Sequence, residues 1–279
     1  MASSFPPVGP AVTELYTTDA ERRWEYRESV FRAEGYATRA VLTAALPQPP
    51  ARVVDIGGGS GRWAQWLASR GHEVALADVV PAAVDEARAR DASLGRRLAS
   101  IELADARCLP WETSSAQAAL LFGPLYHLHD RTERLRALSE AARVVAPGGV
   151  VVVQLLTRTG ALRSLLRLTG DINFDWRRLL RDGVVDDPSA PGLWRATYWQ
   201  QPEEAARECG EAGLAVEVLR GVDGPAPDAQ AGLVDAPEAV VERWGELALE
   251  LGSDLALIAT AATVLVVARV MSLDSPGRR

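Results

Sequence analysis

The chain has 279 residues, 48% of them hydrophobic, and a formal net charge of −7, which suits one large α/β domain with additions and offers no basic stripe to a nucleic-acid backbone. All thirty basic residues are arginine, so Schiff-base chemistry, a lysine-bearing phosphate loop and a Tyr/Lys reductase pair are excluded. The two cysteines, Cys108 and Cys209, are far apart and lack metal-type spacing; neither a disulfide framework nor a zinc site is expected, and the cytoplasm is the expected compartment.

The first thirty residues hold Pro6, Pro7 and Pro10 and no apolar h-region, which argues against a secretory signal. From Glu21 through Phe31, and from Tyr36 to Leu46, apolar positions recur every three or four residues among many charges. That spacing predicts two amphipathic helices, which Pro47 to Pro50 stop. The run Val53-Val54-Asp55-Ile56-Gly57-Gly58-Gly59-Ser60-Gly61-Arg62-Trp63-Ala64 then reads as a strand, a tight turn and a helix. Residues without a Cβ let the backbone turn at positive φ and let a bulky ligand lie against it. Glu73 to Asp78 is a second strand ending in an acid, and Asp78 lies seventeen positions beyond Gly61. A carboxylate there can accept both hydroxyls of a ribose held over the first turn.

Pro81 opens a helix through Arg90. A third strand near Ile101 leads to Asp105, a second acid at a strand end, and Ala118 to Phe122 forms the fourth. Gly123-Pro124-Leu125-Tyr126-His127-Leu128-His129-Asp130 precedes a helix from Thr132 to Val145, and Pro147-Gly148-Gly149 turns into a fifth strand, Val150 to Leu156. Residues 160 to 200 break the alternation with Trp176, Trp194, Tyr198 and Trp199, and read as an inserted lid. Beyond it come a helix from Pro202 to Ala212, a strand from Ala215 to Leu219, a helix from Glu238 to Leu251 and a last strand near Thr263 to Val270. Leu255 to Ala268 is the one long apolar run. It is shorter than the roughly 20 residues of a membrane helix and β-branched in its second half, so no membrane partner is expected.

These motifs resemble the class I S-adenosylmethionine-dependent methyltransferases from about Leu15 onward. Asp55-Ile56-Gly57-Gly58-Gly59-Ser60-Gly61 matches that family's glycine motif, Asp78 its ribose acid, and Asp105-Ala106 its adenine contact. Gly123-Pro124-Leu125-Tyr126-His127-Leu128, Pro147-Gly148-Gly149 and the leading Arg32-Ala33-Glu34 with Thr38-Arg39 resemble a bacterial small-molecule, natural-product branch of secondary metabolism. The resemblance implies a doubly wound, seven-stranded Rossmann-like α/β sheet with the last strand antiparallel. It implies one domain over 1–279, with a helical N-terminal cover (1–50), a cofactor-binding core (51–159), a lid insertion (160–200) and the rest of the core (201–273).

The cofactor so implied is S-adenosyl-L-methionine, with contacts at Tyr16, Arg39, Asp55, Gly57, Gly59, Gly61, Asp78, Val79, Asp105, Ala106 and Leu121. Asp55 either orders the turn or meets the cofactor's ammonium; Arg39 pairs with its carboxylate or is a plain surface arginine. His127 is a candidate base or acceptor orienter, against a packing role at a helix start. Glu34 and Tyr126 are further catalytic candidates, with salt bridging and core packing as their alternatives. His127 and His129 alternate beside Asp130, but the third histidine, His72, starts a different strand, so no metal is expected. Trp176, Tyr198 and Trp199 either line an acceptor pocket for a planar, indole-like aromatic or form a satellite apolar cluster. The expected partner is a small-molecule acceptor, with a homodimer left open. Gly59-Ser60-Gly61-Arg62-Trp63-Ala64 also fits dinucleotide spacing, so a nicotinamide-dependent reductase and a non-catalytic cofactor-binding module are the competing readings.

Overall fold

The computed structural model describes residues 12–13, 16, 28–95, 98–169, 175–185, 196–224, 230–258 and 260–272. Most of the helix expected from Glu21, and Trp194, lie outside the described residues. Seven strands form one sheet in the order β3-β2-β1-β4-β5-β7-β6: β1 (Arg52–Ile56), β2 (Glu73–Asp78), β3 (Ser100–Leu103), β4 (Ala116–Leu121), β5 (Val145–Leu156), β6 (Leu214–Gly221) and β7 (Thr263–Val270). The pairs from β3 to β5 are parallel, whereas β7 runs antiparallel to both neighbours, as expected.

Strand residues alternate between the two faces, and each face has its own core. Val54, Ile56, Ala119, Leu121, Val151 and Val153 pack on one side under α4 (Arg131–Val144) and α7 (Pro202–Glu211), through Leu138, Ala205 and Cys209. Val53, Leu76, Ala118, Leu120, Val150 and Val152 pack on the other, against α1 (Arg32–Ala45), α2 (Arg62–Ser69), α3 (Pro81–Leu94) and α8 (Glu238–Leu251), through Leu42, Leu67, Ala87 and Ala248. Burial on both faces explains why these strands read as unbroken apolar runs.

The fifth strand begins at Val145, five residues earlier than its apolar run. Val145 bridges Ala116, and the register shifts before Val150 meets Ala118. The glycines belong inside the strand, because a Cβ on Gly149 would lie 2.6 Å from the Gln117 carbonyl oxygen.

Helix α1 covers the rim through α8, where a Cβ on Gly245 would sit 2.3 Å from the Tyr36 ring. Arg32 reinforces this contact by donating to the carbonyls of Leu233 and Ala236 and to the Glu238 carboxylate. Between β5 and α7 the described residues include α5 (Arg158–Thr169) and α6 (Trp176–Asp182). Among the described residues, no helix is long and apolar enough to cross a membrane.

Candidate active site

Parallel strands deliver their carboxyl ends to one edge, and the loops there form the site. After Ile56 the chain turns sharply. Gly57 has φ +70°, and a Cβ on it would lie 2.6 Å from the Pro124 ring. No other residue type fits there without moving the β4 loop. The turn is tied to β2 by the Gly57 N–H donating to the Ala77 carbonyl at 2.7 Å and the Gly59 N–H donating to Asp78 Oδ2 at 2.8 Å. Asp78 Oδ1 accepts from the Val80 N–H at 2.9 Å. Burial pushes the Asp78 carboxyl above its ordinary value, although these backbone N–H groups oppose the shift.

Asp55 lies beneath the turn, fully buried. Its Oδ2 accepts from the Ala64 N–H at 3.1 Å, joining β1 to the first turn of α2, while Oδ1 is buried and meets no donor. Burial raises its pKa from 3.8 to about 7, the Ala64 N–H opposes the shift, and the Asp78 charge adds to it. The folded protein therefore holds a proton here that the unfolded chain has released. This site therefore favours folding most at the acid end of the window from 3.8 to about 7 and loses that contribution as pH rises through it. Asp55→Asn keeps an acceptor for Ala64 and removes the titration. Unfolding midpoints of the ligand-free protein at pH 5 and pH 8 are expected to differ less in this variant than in the parent; equal differences would show that Asp55 does not titrate.

Beyond β3, Asp105 faces a guanidinium that sequence patterning did not single out. Arg107, 4% exposed, donates to both Asp105 oxygens, including a bond of 2.6 Å from Nη2, and also pairs with Glu133 of α4. Asp105 still presents itself on a cleft of about 540 Å³, with Gly57, Asp78, Val79, Ala106, Tyr16 and His127 among its walls. Seven of the expected site residues thus meet in one cleft. Val12, Val80, Pro124 and Leu128 complete it as apolar walls.

The other candidates lie off these walls. Leu121 is fully buried in a sheet core. Arg39 lies 4.0 Å from the Glu28 carboxylate, which also binds Arg62 at the start of α2. Glu34 is buried and its charge acts on Asp223, a carboxylate that clasps the Ala262 and Thr263 N–H groups at the start of β7. Gly59 and Gly61 shape the turn.

The loop after β4 forms a 3-10 turn, Leu125–His127. The Tyr126 side chain is buried and its hydroxyl donates to the Phe122 carbonyl at 3.2 Å. His127 faces the cleft. Its Nδ1 lies 2.8 Å from the Ala196 carbonyl oxygen and its Nε2 lies 2.9 Å from the Tyr16 hydroxyl. The Tyr198 N–H also donates to the Tyr126 carbonyl at 2.7 Å, so the segment at 196–198 is registered on this turn by two bonds.

Trp176, Tyr198 and Trp199 are placed differently from a pocket lining. Trp199 packs with Ala161, Leu179 and Val185. The Tyr198 ring lies under the Arg134 guanidinium, 3.8 Å from its centroid. Trp176 is exposed on α6 with Arg177 over its ring. None of the three is on the cleft wall. Among the described residues of this segment, the main chain at Ala196 meets His127, a contact that side-chain patterning could not indicate.

Comparison with known proteins gives the arrangement its family. Residues 53–149 match the model of a methyltransferase domain. Methyltransferase GfsG of Streptomyces halstedii is 34% identical over 113 residues, which is 40% of each chain. A ubiquinone biosynthesis O-methyltransferase of Xanthomonas oryzae pv. oryzae is 31% identical over 128 residues, 44% of this chain and 51% of that protein. The match thus spans about half or less of these relatives' length. Among solved structures, a Thermotoga maritima S-adenosylmethionine-dependent methyltransferase superposes with a TM-score of 0.61 at 17% identity, over 92% of this chain and 99% of that one. Burkholderia thailandensis 1,6-didemethyltoxoflavin-N1-methyltransferase, solved with S-adenosylhomocysteine bound, gives 0.58 at 14% identity, over 97% and 94%. Residues 53–149 are therefore a methyltransferase domain, and the sheet that carries them has the fold of the class I S-adenosylmethionine-dependent methyltransferases.

Proposed function

We propose that this chain transfers the methyl group of S-adenosylmethionine to a small, flat aromatic natural product. The observation that carries the reading is that a single cleft holds the Gly57 turn, the Asp78 and Asp105 carboxylates and the His127 imidazole. These residues fit the cofactor: Asp78 suits two ribose hydroxyls, Asp105 and Ala106 the adenine, and the Cβ-free turn the close approach of the methionine part. When bound, the cofactor supplies an activated sulfonium methyl, so the protein needs to contribute geometry and the exclusion of water.

Val12, Pro124 and Leu128 give the cleft apolar walls that suit a flat ring. The Tyr16 and Tyr126 rings stand edge-on to His127, with centroids 5.4 and 4.7 Å away. Selection of the acceptor falls to Val12, Tyr16, Pro124, His127 and Leu128 on the cleft wall and to the segment at Ala196, while the buried Tyr126 ring backs His127 and Tyr198 and Trp199 hold the lid's base. The net charge of −7 supports a small acceptor over nucleic acid.

Incubation with methyl-labelled S-adenosylmethionine and a panel of phenols, heteroaromatics and amines, read by mass spectrometry, tests the reading. Transfer of label to a ring-bearing acceptor is expected. Binding of S-adenosylhomocysteine without transfer to any acceptor would point instead to a cofactor-binding module without turnover.

A further inference from the structure

Within the proposed reading, the contacts of His127 carry the argument further, to the kind of acceptor. A backbone carbonyl oxygen can only accept a hydrogen bond. Nδ1 of His127, 2.8 Å from the Ala196 oxygen, therefore carries the ring proton. A neutral imidazole has one such proton, so Nε2 presents a lone pair and the Tyr16 hydroxyl, 2.9 Å away, donates to it. Both Tyr16 and His127 line the cleft that holds Asp78 and Asp105. The three groups come from separate parts of the chain: the N-terminal cover, the loop after β4 and the returning lid. His127 contacts both covers.

We infer that Tyr16 and His127 act as a proton relay that ionises a protic acceptor, a phenol or an enol, with the Ala196 carbonyl fixing the imidazole tautomer. In this step the acceptor O–H gives its proton to the Tyr16 oxygen while the Tyr16 proton passes to His127 Nε2. The acceptor oxygen forms a bond to the methyl carbon of the sulfonium donor, and the carbon–sulfur bond breaks with its electron pair going to sulfur. His127 leaves the step as imidazolium and later releases a proton to water. Tyr16 is a catalytic residue by this account because its oxygen meets the acceptor, and Ala196 is a positioning residue. An amine acceptor with a free lone pair needs no base before transfer, so the relay contributes only where the acceptor must lose a proton.

The chain has three histidines, which makes the test direct. Long-range proton–nitrogen NMR spectra of the ligand-free protein, assigned with His127→Gln, are expected to show His127 as the Nδ1–H tautomer. Tyr16→Phe is expected to keep that tautomer and to move the Nε2 resonance downfield, because its lone pair loses a donor. In parallel, p-nitrophenol is titrated into protein saturated with S-adenosylhomocysteine and its ionisation is followed by visible absorption. The bound probe is expected to be ionised in the parent and to be protonated or unbound in Tyr16→Phe. An Nε2–H tautomer, an Nε2 resonance unmoved by Tyr16→Phe, or no ionised bound probe in the parent overturns the relay. Calorimetry of S-adenosylhomocysteine on the same samples separates the two levels: absence of cofactor-product binding overturns the methyltransferase reading itself, whereas binding with the wrong tautomer or a neutral probe overturns only the relay.

Discussion

Arg134→Met is expected to destabilise the protein by about 3–5 kcal/mol, the usual cost of breaking a buried ion pair from one side. Arg134 and Glu208 are both almost fully buried and joined by two bonds of 3.0 and 2.8 Å. The same guanidinium donates to the carbonyls of Leu128 and His129, each at 2.9 Å, and stacks on Tyr198. Removing it leaves a buried carboxylate, held otherwise by Gln200 and the more distant Arg131, together with two carbonyls without this donor. Replacing the pair as a unit, Arg134→Met with Glu208→Leu, is expected to recover much of the loss, since two well-packed apolar groups remove the unmatched charge. Urea unfolding of the single and double variants checks this. A single-variant loss below about 1 kcal/mol would show that water reaches Glu208 and relieves its burial.

The second large effect is expected at Asp78. Its two oxygens already accept from the Gly59 and Val80 N–H groups, so the carboxylate holds the glycine turn in shape while facing the cleft. Asp78→Asn puts an NH2 where one of those donors needs an acceptor, and it removes the charge that ribose hydroxyls would meet. At about 1.5–3 kcal/mol for each bond to a charged group, two such bonds correspond to roughly a 10²- to 10⁴-fold loss of affinity. Calorimetric titration with S-adenosylhomocysteine checks it, and circular dichroism verifies the fold. Because burial raises the Asp78 carboxyl, affinity in the parent is also expected to fall on acidification as the acceptor is protonated, and to lose that dependence in the variant. Unchanged binding by a folded variant would remove Asp78 from the cofactor site.

The parts legible in the sequence were those set by local chemistry. Strand ends, the glycine turn and the acids at Asp78 and Asp105 announce themselves through patterning and spacing, and the fold's alternation follows from them. The start of β5 was not legible, because Val145 joins the sheet before an interruption at Pro147-Gly148-Gly149 that reads as a turn. Arg134 was also hidden. It sits in a charge-rich helix where only the packing of α7 shows that one arginine turns inward to meet Glu208. Arg107 carried a faint signal, two positions after a strand-end acid, but its second partner Glu133 lies on another element. The Ala196 contact is made by a carbonyl that every residue possesses, so no side-chain pattern could have marked it.

The place of β7 bears on how the molecule is made. It is the last strand in chain order, yet it lies between β5 and β6, and among the described residues β6 pairs with no other strand. While a ribosome is still adding residues 157–262, the five strands from β3 to β5 have their partners in hand. The β6 segment has none, and the β5 edge stays open along its length. Only when residues 263–270 emerge can the chain reach back across that separation and zip both edges shut at once. Long-range closure of this kind is slow and exposes unpaired strand edges meanwhile. Nascent chains arrested shortly before Thr263 should therefore be the ones most readily captured by a chaperone that binds extended apolar segments.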